Sequence, residues 1–479
     1  MDKTIVIFGA TGDLTHRKLI PAIYNLFRKE RLSGSFVIIG FARRPYTAES
    51  FCQELQDSAN EYSANTFNLD TWEKFSQHIH YFQGDLNSAK DFEGLEDYLH
   101  SLENGQSDRL YYCATAPEFY ESIARNLGNA GMTIQAAGWR DIVIEKPFGS
   151  DLSSARALNQ TLHRFFSESQ IFRIDHYLGK DTAQNILYFR FANAIFEPIW
   201  NRNYIDNIQI TVAEQVNIGD RAGYYDSAGV LRDIFQNHLL QILTLISMEP
   251  PASFDADALR NEKVKVLSAL LPVKPEDIIV AQYRGYQQTP RVAPGSTTPT
   301  FGALKLHLGN WRWQGVHFYL RSGKALAEKS TEVVVVFKRP PHLIFNLDSG
   351  DKLTPNILSL CIQPDEGIHL SFEAKVPDSN QEMRSVDMEF HYQTDFGVNA
   401  IPDAYERLLL DAIKGDASLF ARNDEIELAW KLIDQVIQDS QIEDAKELLL
   451  YEPGSWGPLE ARKLLKRNGH SWHSMCRHS

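Results

Sequence analysis

The stretch "KTIVIFGATGDLTHRKLIPAIYNLFRKERL", residues 3–32, decides the fold of the N-terminal part of the chain. The β-branched and aromatic residues 4–8 predict a strand buried on both faces, as in a parallel sheet. A glycine-containing turn follows, and four apolar residues at helical spacing then predict an amphipathic helix: Leu19, Ile23, Leu26 and Phe27. The strand "SFVIIGFA", residues 35–42, completes a βαβ unit with a right-handed crossover.

The turn of this unit has the pattern G-x-x-G-x-L instead of the dinucleotide fingerprint G-x-G-x-x-G. Its residues are candidate cofactor contacts: Gly9, Thr11, Gly12, Asp13 and Leu14. Glycines permit close approach of a pyrophosphate, and the amides at the helix start attract it. A turn that only serves packing is the alternative.

The end of the second strand, "GFARRPY", indicates which dinucleotide binds. An NAD site usually has an acidic residue there for the ribose 2′-hydroxyl. Arg43 and Arg44 stand in that place, and two guanidinium groups suit a 2′-phosphate. The sequence therefore predicts NADP, with solvated surface arginines as the alternative.

Further strands follow at "HIHYFQGDL", which ends in Asp85 and Leu86, and at "RLYYCATAP". The last of the series is "DIVIEKPFG", with Lys146 at its C-terminal end and a candidate cis bond to Pro147. Ligands bind at that edge of open α/β sheets, so Lys146 is expected near the site. We predict a Rossmann-like dinucleotide-binding domain over residues 1–175.

The pattern changes after residue 180. We predict a helix at 181–200, a strand at 207–216 and a long helix at 229–248. Strand-like runs without helices between them then predict an antiparallel or mixed sheet; they occupy residues 301–308, 315–323, 332–339, 357–364, 367–376 and 386–392. Helical segments at 401–415 and 423–437 follow, and the second domain is placed at residues 176–479.

The stretch "RIDHYLGK", residues 173–180, concentrates polar groups next to a predicted helix start. Lys180 stands where helix amides and the helix dipole favour a phosphate, and His176 and Tyr177 can add donors. A solvated turn is the alternative.

His238 falls on a stripe of the long predicted helix that marks the buried face: Leu231, Ile234, Phe235, His238, Ile242 and Leu245. A lone histidine on such a face is usually a core residue with a hydrogen-bond partner. If that partner were a carboxylate such as Asp175, the pair would form a general base with an orienting acid.

Composition restricts the classes of function. A chain of 479 residues is long enough for two domains, and its net charge of −14 argues against nucleic acid or an anionic membrane as a partner. The four cysteines are scattered without a CxxC pair, so neither a disulfide framework nor a metal site is predicted. With no signal peptide or membrane span in the sequence, a reduced cytoplasmic protein is expected. The tail "GHSWHSMCRHS" is expected to be a disordered polar end.

Seven motifs together resemble the glucose-6-phosphate dehydrogenase family: "FGATGDLTHRKL", "EKPFG", "RIDHYLGK", "FANAIFEPIWNR", "GYYDSAGVLRDIFQNHLLQ", "LRSGKAL" and "DAYERLLLDAI". They occur in the family's order over nearly the whole chain. The resemblance implies a Rossmann-like N-terminal domain and a C-terminal α+β domain with a large, mainly antiparallel sheet packed with helices. That sheet usually forms the dimer interface, so a homodimer or homotetramer is expected. The implied reaction oxidises glucose 6-phosphate at C1 to 6-phosphogluconolactone with hydride transfer to NADP, the first step of the pentose phosphate pathway.

The resemblance also implies roles for individual residues. His238 would take the C1 hydroxyl proton and Asp175 would orient it. The residues implied for substrate binding are Lys146, His176, Tyr177, Lys180, Glu214, Asp233, Lys324 and Lys329. Thr11, Lys18 and Arg43 match cofactor contacts.

Two alternatives remain at this point. The first is an NAD(P)-dependent dehydrogenase of another sugar or sugar phosphate, such as unphosphorylated glucose with NAD. The second is a non-catalytic NADP-binding regulator, which should lack the base or its partner.

Overall fold

The computed structural model describes residues 2–32, 35–103, 106–342, 344, 353–379, 382–397, 400–440 and 448–476. The chain forms two compact units. The first consists of residues up to 180 together with 253–260 and 402–427, and the second contains the remainder. The first unit thus extends past the predicted boundary at residue 175 and includes two later segments. The division into functional domains at that residue stays a prediction.

A parallel sheet forms the centre of the first unit. Its strands are β1 (Asp2–Phe8), β2 (Phe36–Ala42), β3 (Ile79–Gln83), β4 (Ser107–Cys113), β5 (Arg140–Glu145) and β6 (Ile171–Ile174). Their spatial order is β3-β2-β1-β4-β5-β6, and every neighbouring pair is parallel. This is the strand order of the dinucleotide-binding doubly wound fold. The predicted Rossmann-like fold is confirmed.

The α-helices alternate with the strands in the N-terminal part and follow less regularly afterwards. They are α1 (Ile20–Arg28), α2 (Ala48–Tyr62), α3 (Leu69–Ser76), α4 (Ala89–Leu102), α5 (Tyr120–Asn129), α6 (Leu152–His163), α7 (Asp181–Phe191), α8 (Ala222–Val230), α9 (Leu240–Ser247), α10 (Ala256–Ser268), α11 (Tyr392–Phe396), α12 (Ala404–Lys414), α13 (Asn423–Ser440) and α14 (Leu459–Lys466). A π-helical turn, Thr15–Leu19, precedes α1. Leu19, Ile23 and Leu26 are buried, as the apolar spacing predicts.

The second unit is built on a mixed sheet. Its strands are β7 (Ile205–Ala213), β8 (Ile278–Tyr283), β9 (Phe301–Leu306), β10 (His317–Gly323), β11 (Ser330–Phe337), β12 (Ile357–Gln363), β13 (Gly367–Lys375), β14 (Met383–His391) and β15 (Leu449–Tyr451). The order is β14-β13-β12-β11-β7-β10-β9-β8-β15. Only β7 with β10 and β8 with β15 pair in parallel within this described sheet. The expected large, mainly antiparallel sheet is confirmed.

The predicted long helix at 229–248 is present, but its centre is not an α-helix. A π-helical stretch, Leu231–Leu239, joins α8 to α9. The predicted stripe is buried, and so, apart from half-buried Arg232, is every other residue from Leu231 to Ser247. Polar residues such as Gln236 and Gln241 are buried with the apolar ones, and a spacing rule that assumes a solvent face cannot anticipate this.

Side chains of the second unit bind the C-terminal carbonyls of α9. The indoles of Trp200 and Trp313 donate to the carbonyls of Ile246 and Ser247 at 2.8 and 2.7 Å. The guanidinium of buried Arg190 donates to Leu245 at 3.0 Å and to Met248 at 2.8 Å. A buried helix end requires such partners because water cannot reach its carbonyls. These bonds fix the position of the helical segment that carries His238.

The cysteines depart from the prediction. Cys361 on β12 and Cys476 near the C-terminus form a disulfide, with Cα atoms 5.7 Å apart, whereas Cys52 and Cys113 are thiols. The expectation that no cysteines pair is therefore wrong for these two. They are 115 residues apart, and no spacing motif signals a pairing that only the fold creates.

Two further expectations can be compared with the structure. The Lys146–Pro147 bond is cis, as the sequence suggested. Among the residues that the structure describes, no helix combines the length and the apolar character that crossing a membrane requires.

The first prediction concerns Gly9, which has a φ of +84° and lies against the end of β4. A Cβ at this position would stand 2.4 Å from the carbonyl oxygen of Ala114. Gly131 in the same unit also has a left-handed φ, of +72°, but there the nearest atom to a Cβ is 4.0 Å away. Both alanine variants have the strain of a left-handed backbone. Gly9→Ala also forces its surroundings to repack, so its free energy of unfolding should fall by roughly 1–3 kcal/mol more than that of Gly131→Ala. Chemical denaturation measures the difference, and equal losses would contradict the close approach.

Candidate active site

The carboxyl edge of the parallel sheet gathers most of the candidate residues of the first unit. Gly9 follows β1, Arg43 and Arg44 follow β2, Asp85 comes two residues after β3, Lys146 follows β5, and Asp175 follows β6. The direction of strand progression reverses between β1 and β4. Ligands of open α/β sheets bind in the crevice at such a switch point.

The turn after β1 is fixed by hydrogen bonds within the turn and to β2. The Gly9 amide donates to the carbonyl of Phe41 at 3.0 Å, and the Gly12 amide donates to the carbonyl of Gly9 at 2.9 Å. The Thr15 hydroxyl donates to the same carbonyl at 3.3 Å. Thr11 and Leu14 are half-buried in this turn and Asp13 is exposed. The turn therefore offers a fixed backbone surface next to a helix start, which suits a pyrophosphate.

Arg43 and Arg44 have fixed main chains and exposed side chains. The amide group of Gln83 donates to the carbonyl of Arg43 at 3.1 Å, and the hydroxyl of Tyr81 donates to the carbonyl of Arg44. Both guanidinium groups are on the surface at the end of β2, where a 2′-phosphate would be recognised.

The remaining cofactor candidates of this unit have other surroundings. The Asp85 amide donates to Asp91 at 2.8 Å, and the Leu86 carbonyl accepts from Asn126 at 2.9 Å, so this loop is tied to neighbouring helices. Lys18 forms an ion pair of 2.7 Å with Asp403. Its contact with a cofactor stays a prediction.

Sequence reasoning missed Glu145, the residue before Lys146. It is buried, and the hydroxyl of Tyr112 donates to its carboxyl at 2.6 Å, while the hydroxyl of Tyr120 donates to its main-chain carbonyl at 2.8 Å. Burial raises the pKa of Glu145 to about 7, and the hydrogen bonds from Tyr112 and Tyr405 oppose that rise. The only signal was an acid at the end of a strand, directly after three apolar residues, Ile142–Ile144.

The turn after β6 is ordered and largely buried. Asp175, only 2% exposed, accepts a hydrogen bond from the Tyr177 amide at 3.0 Å, and Lys180 lies with its ammonium 4.8 Å from the centre of the Tyr177 ring. Gly179 has no room for a side chain, because a Cβ would stand 2.7 Å from the carbonyl of Ala404. His176 and Lys180 are half-buried. The alternative of an ordinary solvated turn is wrong.

In the second unit, three candidates converge at the ends of two parallel strands. Ala213 and Gly323 are register partners at the ends of β7 and β10, so the next residues, Glu214 and Lys324, lie side by side. They form a close ion pair, and the Lys324 ammonium is also 3.9 Å from the carboxylate of Asp233. Acids and a lysine in one cluster can bind several sugar hydroxyls.

His238 and Asp233 share the π-helical stretch. A π turn bonds residues five apart, so the two side chains stand one turn apart along the same side of the helix. His238 is only 1% exposed. Lys329 is exposed in the connection before β11, outside the cluster of Lys324. The pairing of His238 with Asp175, a residue of the other unit, stays a prediction.

The first unit has the parallel sheet of dinucleotide-binding proteins, with two arginines where a 2′-phosphate would be recognised. The second is an α+β unit that presents a histidine and an acid–lysine cluster. Together these features define an NAD(P)-dependent oxidoreductase. Residues 6–185 match the family profile described as "Glucose-6-phosphate dehydrogenase, NAD binding domain", and residues 187–473 match "Glucose-6-phosphate dehydrogenase, C-terminal domain". The chain belongs to the glucose-6-phosphate dehydrogenase family, and the predicted family is confirmed.

Individual relatives support this assignment over the whole length. The chain is 43% identical to glucose-6-phosphate 1-dehydrogenase of Aggregatibacter actinomycetemcomitans, covering 98% of this chain and 96% of the relative. It is 41% identical to the Bacillus subtilis enzyme of that name, with 98% and 97% covered. A crystal structure of the Mycobacterium avium enzyme matches with a TM-score of 0.86 at 36% identity, covering 98% of this chain and 99% of that one. A structure of glucose-6-phosphate dehydrogenase in complex with glucose 6-phosphate matches with a TM-score of 0.92 at 33% identity, covering 98% of each.

The buried Glu145 predicts a pH dependence of stability. Its pKa of about 7 in the folded chain exceeds the ordinary value of 4.5, so the folded state holds the proton more tightly. Stability should therefore fall as the pH rises from about 4.5 to 7 and level off above that, by an amount on the order of 3 kcal/mol for this group. Glu145→Gln keeps an acceptor for Tyr112 and should reduce this fall.

Denaturant unfolding at pH 5 and pH 8 measures the effect. Asp141, whose burial raises its pKa to about 7, contributes a fall of the same sign in every variant, so the comparison is with the parent protein. Glu118→Gln, at an exposed acid of the same unit, is the matched control and should leave the fall unchanged. An identical fall in the parent and in Glu145→Gln would contradict the prediction.

Proposed function

We propose that this chain oxidises glucose 6-phosphate at C1 to 6-phospho-glucono-1,5-lactone and transfers the hydride to NADP, the first step of the pentose phosphate pathway. The observation that carries the proposal is the match over 98% of the chain to a glucose-6-phosphate dehydrogenase that was solved with its substrate. The ordered turn at residues 173–180 and the cluster around Lys324 supply the chemistry that a phosphorylated sugar requires.

The phosphate is held by the turn after β6. A chain with a net charge of −14 repels an anionic substrate at long range, so binding needs local cations. Lys180 supplies one, fixed over the ring of Tyr177, and His176 adds a donor from the same turn. Charge-assisted hydrogen bonds to a phosphate contribute roughly 1.5–3 kcal/mol each.

The sugar is oriented by the second cluster. Glu214 and Asp233 accept hydrogen bonds from sugar hydroxyls, and the Lys324 ammonium lies beside both carboxylates and can donate to a sugar oxygen. Lys329 extends the basic surface for the substrate. Lys146, at the end of β5, lies between the sugar and the nicotinamide.

His238 is the general base. The C1 hydroxyl must lose its proton as hydride leaves C1, because the C1–O bond then gains double-bond character. A neutral imidazole accepts this proton, and Asp175 orients the ring and stabilises the imidazolium that forms. Bound NADP supplies the hydride acceptor.

The residues of the first sheet fit NADP. Arg43 and Arg44 are exposed at the end of β2, where an acid would select the 2′-hydroxyl of NAD, and the turn from Gly9 to Leu14 receives the pyrophosphate. Lys18, Asp85 and Leu86 complete the proposed cofactor contacts.

The assembly is a homodimer or homotetramer in this proposal. Val386 and Met388 are exposed apolar residues on one face of β14, the edge strand of the large sheet, and a subunit interface would cover them. A cytoplasmic location stays a prediction.

The direct experiment follows NADPH absorbance with glucose 6-phosphate and with glucose, each with NADP and with NAD. Turnover should require the phosphate ester and be fastest with NADP. Comparable turnover of free glucose would instead support a dehydrogenase of another sugar, and no turnover with any of these pairs would favour the non-catalytic regulator.

The general base gives the next prediction. His238→Asn should lower turnover by about 10²–10⁴ while substrate affinity in equilibrium binding changes only a few-fold, and Asp175→Asn should lose less because the base survives. Melting temperature is measured on the same samples. If His238 were only a core residue, its replacement would lower the melting temperature, and a folded variant would keep its turnover.

A separate prediction concerns cofactor choice. Arg43→Ala should raise the Michaelis constant for NADP about 10- to 100-fold and leave that for NAD nearly unchanged, because only NADP carries the 2′-phosphate. Arg164→Ala, at an exposed arginine of the same unit, is the control and should change neither constant. Equal losses with both cofactors in Arg43→Ala would show that this residue does not recognise the phosphate.

A further inference from the structure

Two histidines and two acids gather on the outer part of the large sheet, away from the proposed substrate residues in sequence. His369 lies on β13 and is the register partner of Glu389 on β14. His391 follows two residues after Glu389, and side chains two apart on a strand point to the same face. The register therefore places His369, Glu389 and His391 on one face of this strand pair.

A glycine makes room for this arrangement. The register partner of His391 is Gly367, which has no side chain to occupy the same face. A Cβ at Gly367 would stand 3.3 Å from Nδ1 of His391, tighter than an ordinary contact. The imidazole can therefore lie close to β13 and near His369.

The separations of the three side chains are those of a metal ligand set. Their donor atoms lie within 4.8 Å of one another. His369 Nδ1 is 3.6 Å from Glu389 Oε1, and His391 Nε2 is 3.5 Å from Glu389 Oε2. A tetrahedral ion bound at about 2.1 Å from each ligand separates the ligand atoms by about 3.4 Å. Small side-chain rotations would bring all three atoms onto one ion.

Asp365 contacts one of the three side chains, His391, from outside the cluster. Its carboxylate lies 3.5 Å from Nδ1 of His391, the ring nitrogen other than the one near Glu389. A carboxylate at that nitrogen favours the tautomer protonated at Nδ1, which directs the Nε2 lone pair toward the ion. The two carboxylates, Asp365 and Glu389, also balance the charge of a divalent cation bound by neutral imidazoles.

The exposure of the three side chains and the types of their ligand atoms indicate which ion would bind. The side chain of His369 is 3% exposed, that of His391 is 21% and that of Glu389 is 47%, so the cluster is buried on one side and open to solvent on the other. An ion can enter from the open side and keep a water as its fourth ligand. Two imidazole nitrogens with one carboxylate oxygen suit Zn²⁺, whereas Ca²⁺ and Mg²⁺ prefer oxygen ligands alone.

We propose that His369, Glu389 and His391 form a zinc-binding site, with Asp365 as the residue that orients His391. The ion joins β13 to the edge strand β14 and holds that strand in register. Val386 and Met388 point to the opposite face of β14, because even and odd positions alternate. The site thus leaves the apolar face of the strand available for a subunit contact. This departs from the sequence-based expectation that the chain has no metal site.

The test is to titrate zinc into the chelator-treated full-length protein and to measure binding by isothermal titration calorimetry. We expect one site per chain, weakened at least tenfold by His391→Gln and by Glu389→Gln, and about 10- to 100-fold by Asp365→Asn. His342→Gln, at an exposed histidine of the same unit, is the matched control and should bind as the parent does. Zinc should also raise the melting temperature of the parent but not of His391→Gln.

Two competing sites are distinguished in the same experiment. The C-terminal segment carries His470 and His473, and Glu332 lies near the paired Cys361 and Cys476. Replacing zinc with Co²⁺ should give the visible bands of a tetrahedral nitrogen–oxygen site without a thiolate charge-transfer band, and His473→Gln should keep them. Zinc affinity that is unchanged in His391→Gln and Glu389→Gln, or no binding by the parent, would overturn the proposal. Because Glu389 and Asp365 are at least partly exposed, their variants test the site even if His391→Gln does not fold.

Discussion

The contact between the turn after β1 and the end of β4 determines where the first unit can bind a ligand. Gly9 approaches the carbonyl of Ala114 so closely that no side chain fits between them. The contact lies between the two central strands, at the point where strand order reverses, so the helices that follow β1 and β4 leave on opposite faces of the sheet. Every candidate of the first unit that follows a strand end is arranged around this point. The close approach at Gly9 thus determines where the cofactor crevice lies, independently of the residues that would contact the cofactor.

In the second unit, two of the proposed site residues, His238 and Asp233, lie on a buried helical segment and not on a loop. The π-helical stretch with His238 and Asp233 is packed on almost all sides, and Trp200, Trp313 and Arg190 bind the carbonyls at the end of the helix that follows. A segment held in this way cannot adjust its side chains by moving its backbone. π-helical segments are frequent at functional sites, and here the segment places an acid and a histidine on one side of a rigid helix.

The sequence allowed the first unit to be predicted well because strand ends and glycine turns have local signals. Arg43 and Lys146 each follow a strand that the hydrophobic pattern predicts. The strand before Asp175, β6, was not predicted, and the structure adds Asp175 to the same edge of the sheet. Glu145 escaped notice because burial makes it unusual, and its burial depends on residues that are distant in the sequence. The π-helical stretch escaped because its residues are compatible with an ordinary helix. Its backbone is decided by tertiary packing, which a single sequence does not display.

The same limit applies to pairs of residues far apart in the chain. The register that brings His369 opposite Glu389 follows from strand pairing, and the bond between Cys361 and Cys476 follows from the path of the C-terminal segment over the sheet. That bond turns residues 361–476 into a covalent ring. A protease that cuts the backbone once anywhere inside the ring would leave a single molecule, whose fragments part only when the disulfide is reduced. The redox state of the surroundings would then decide whether the nicked chain can lose its C-terminal fragment.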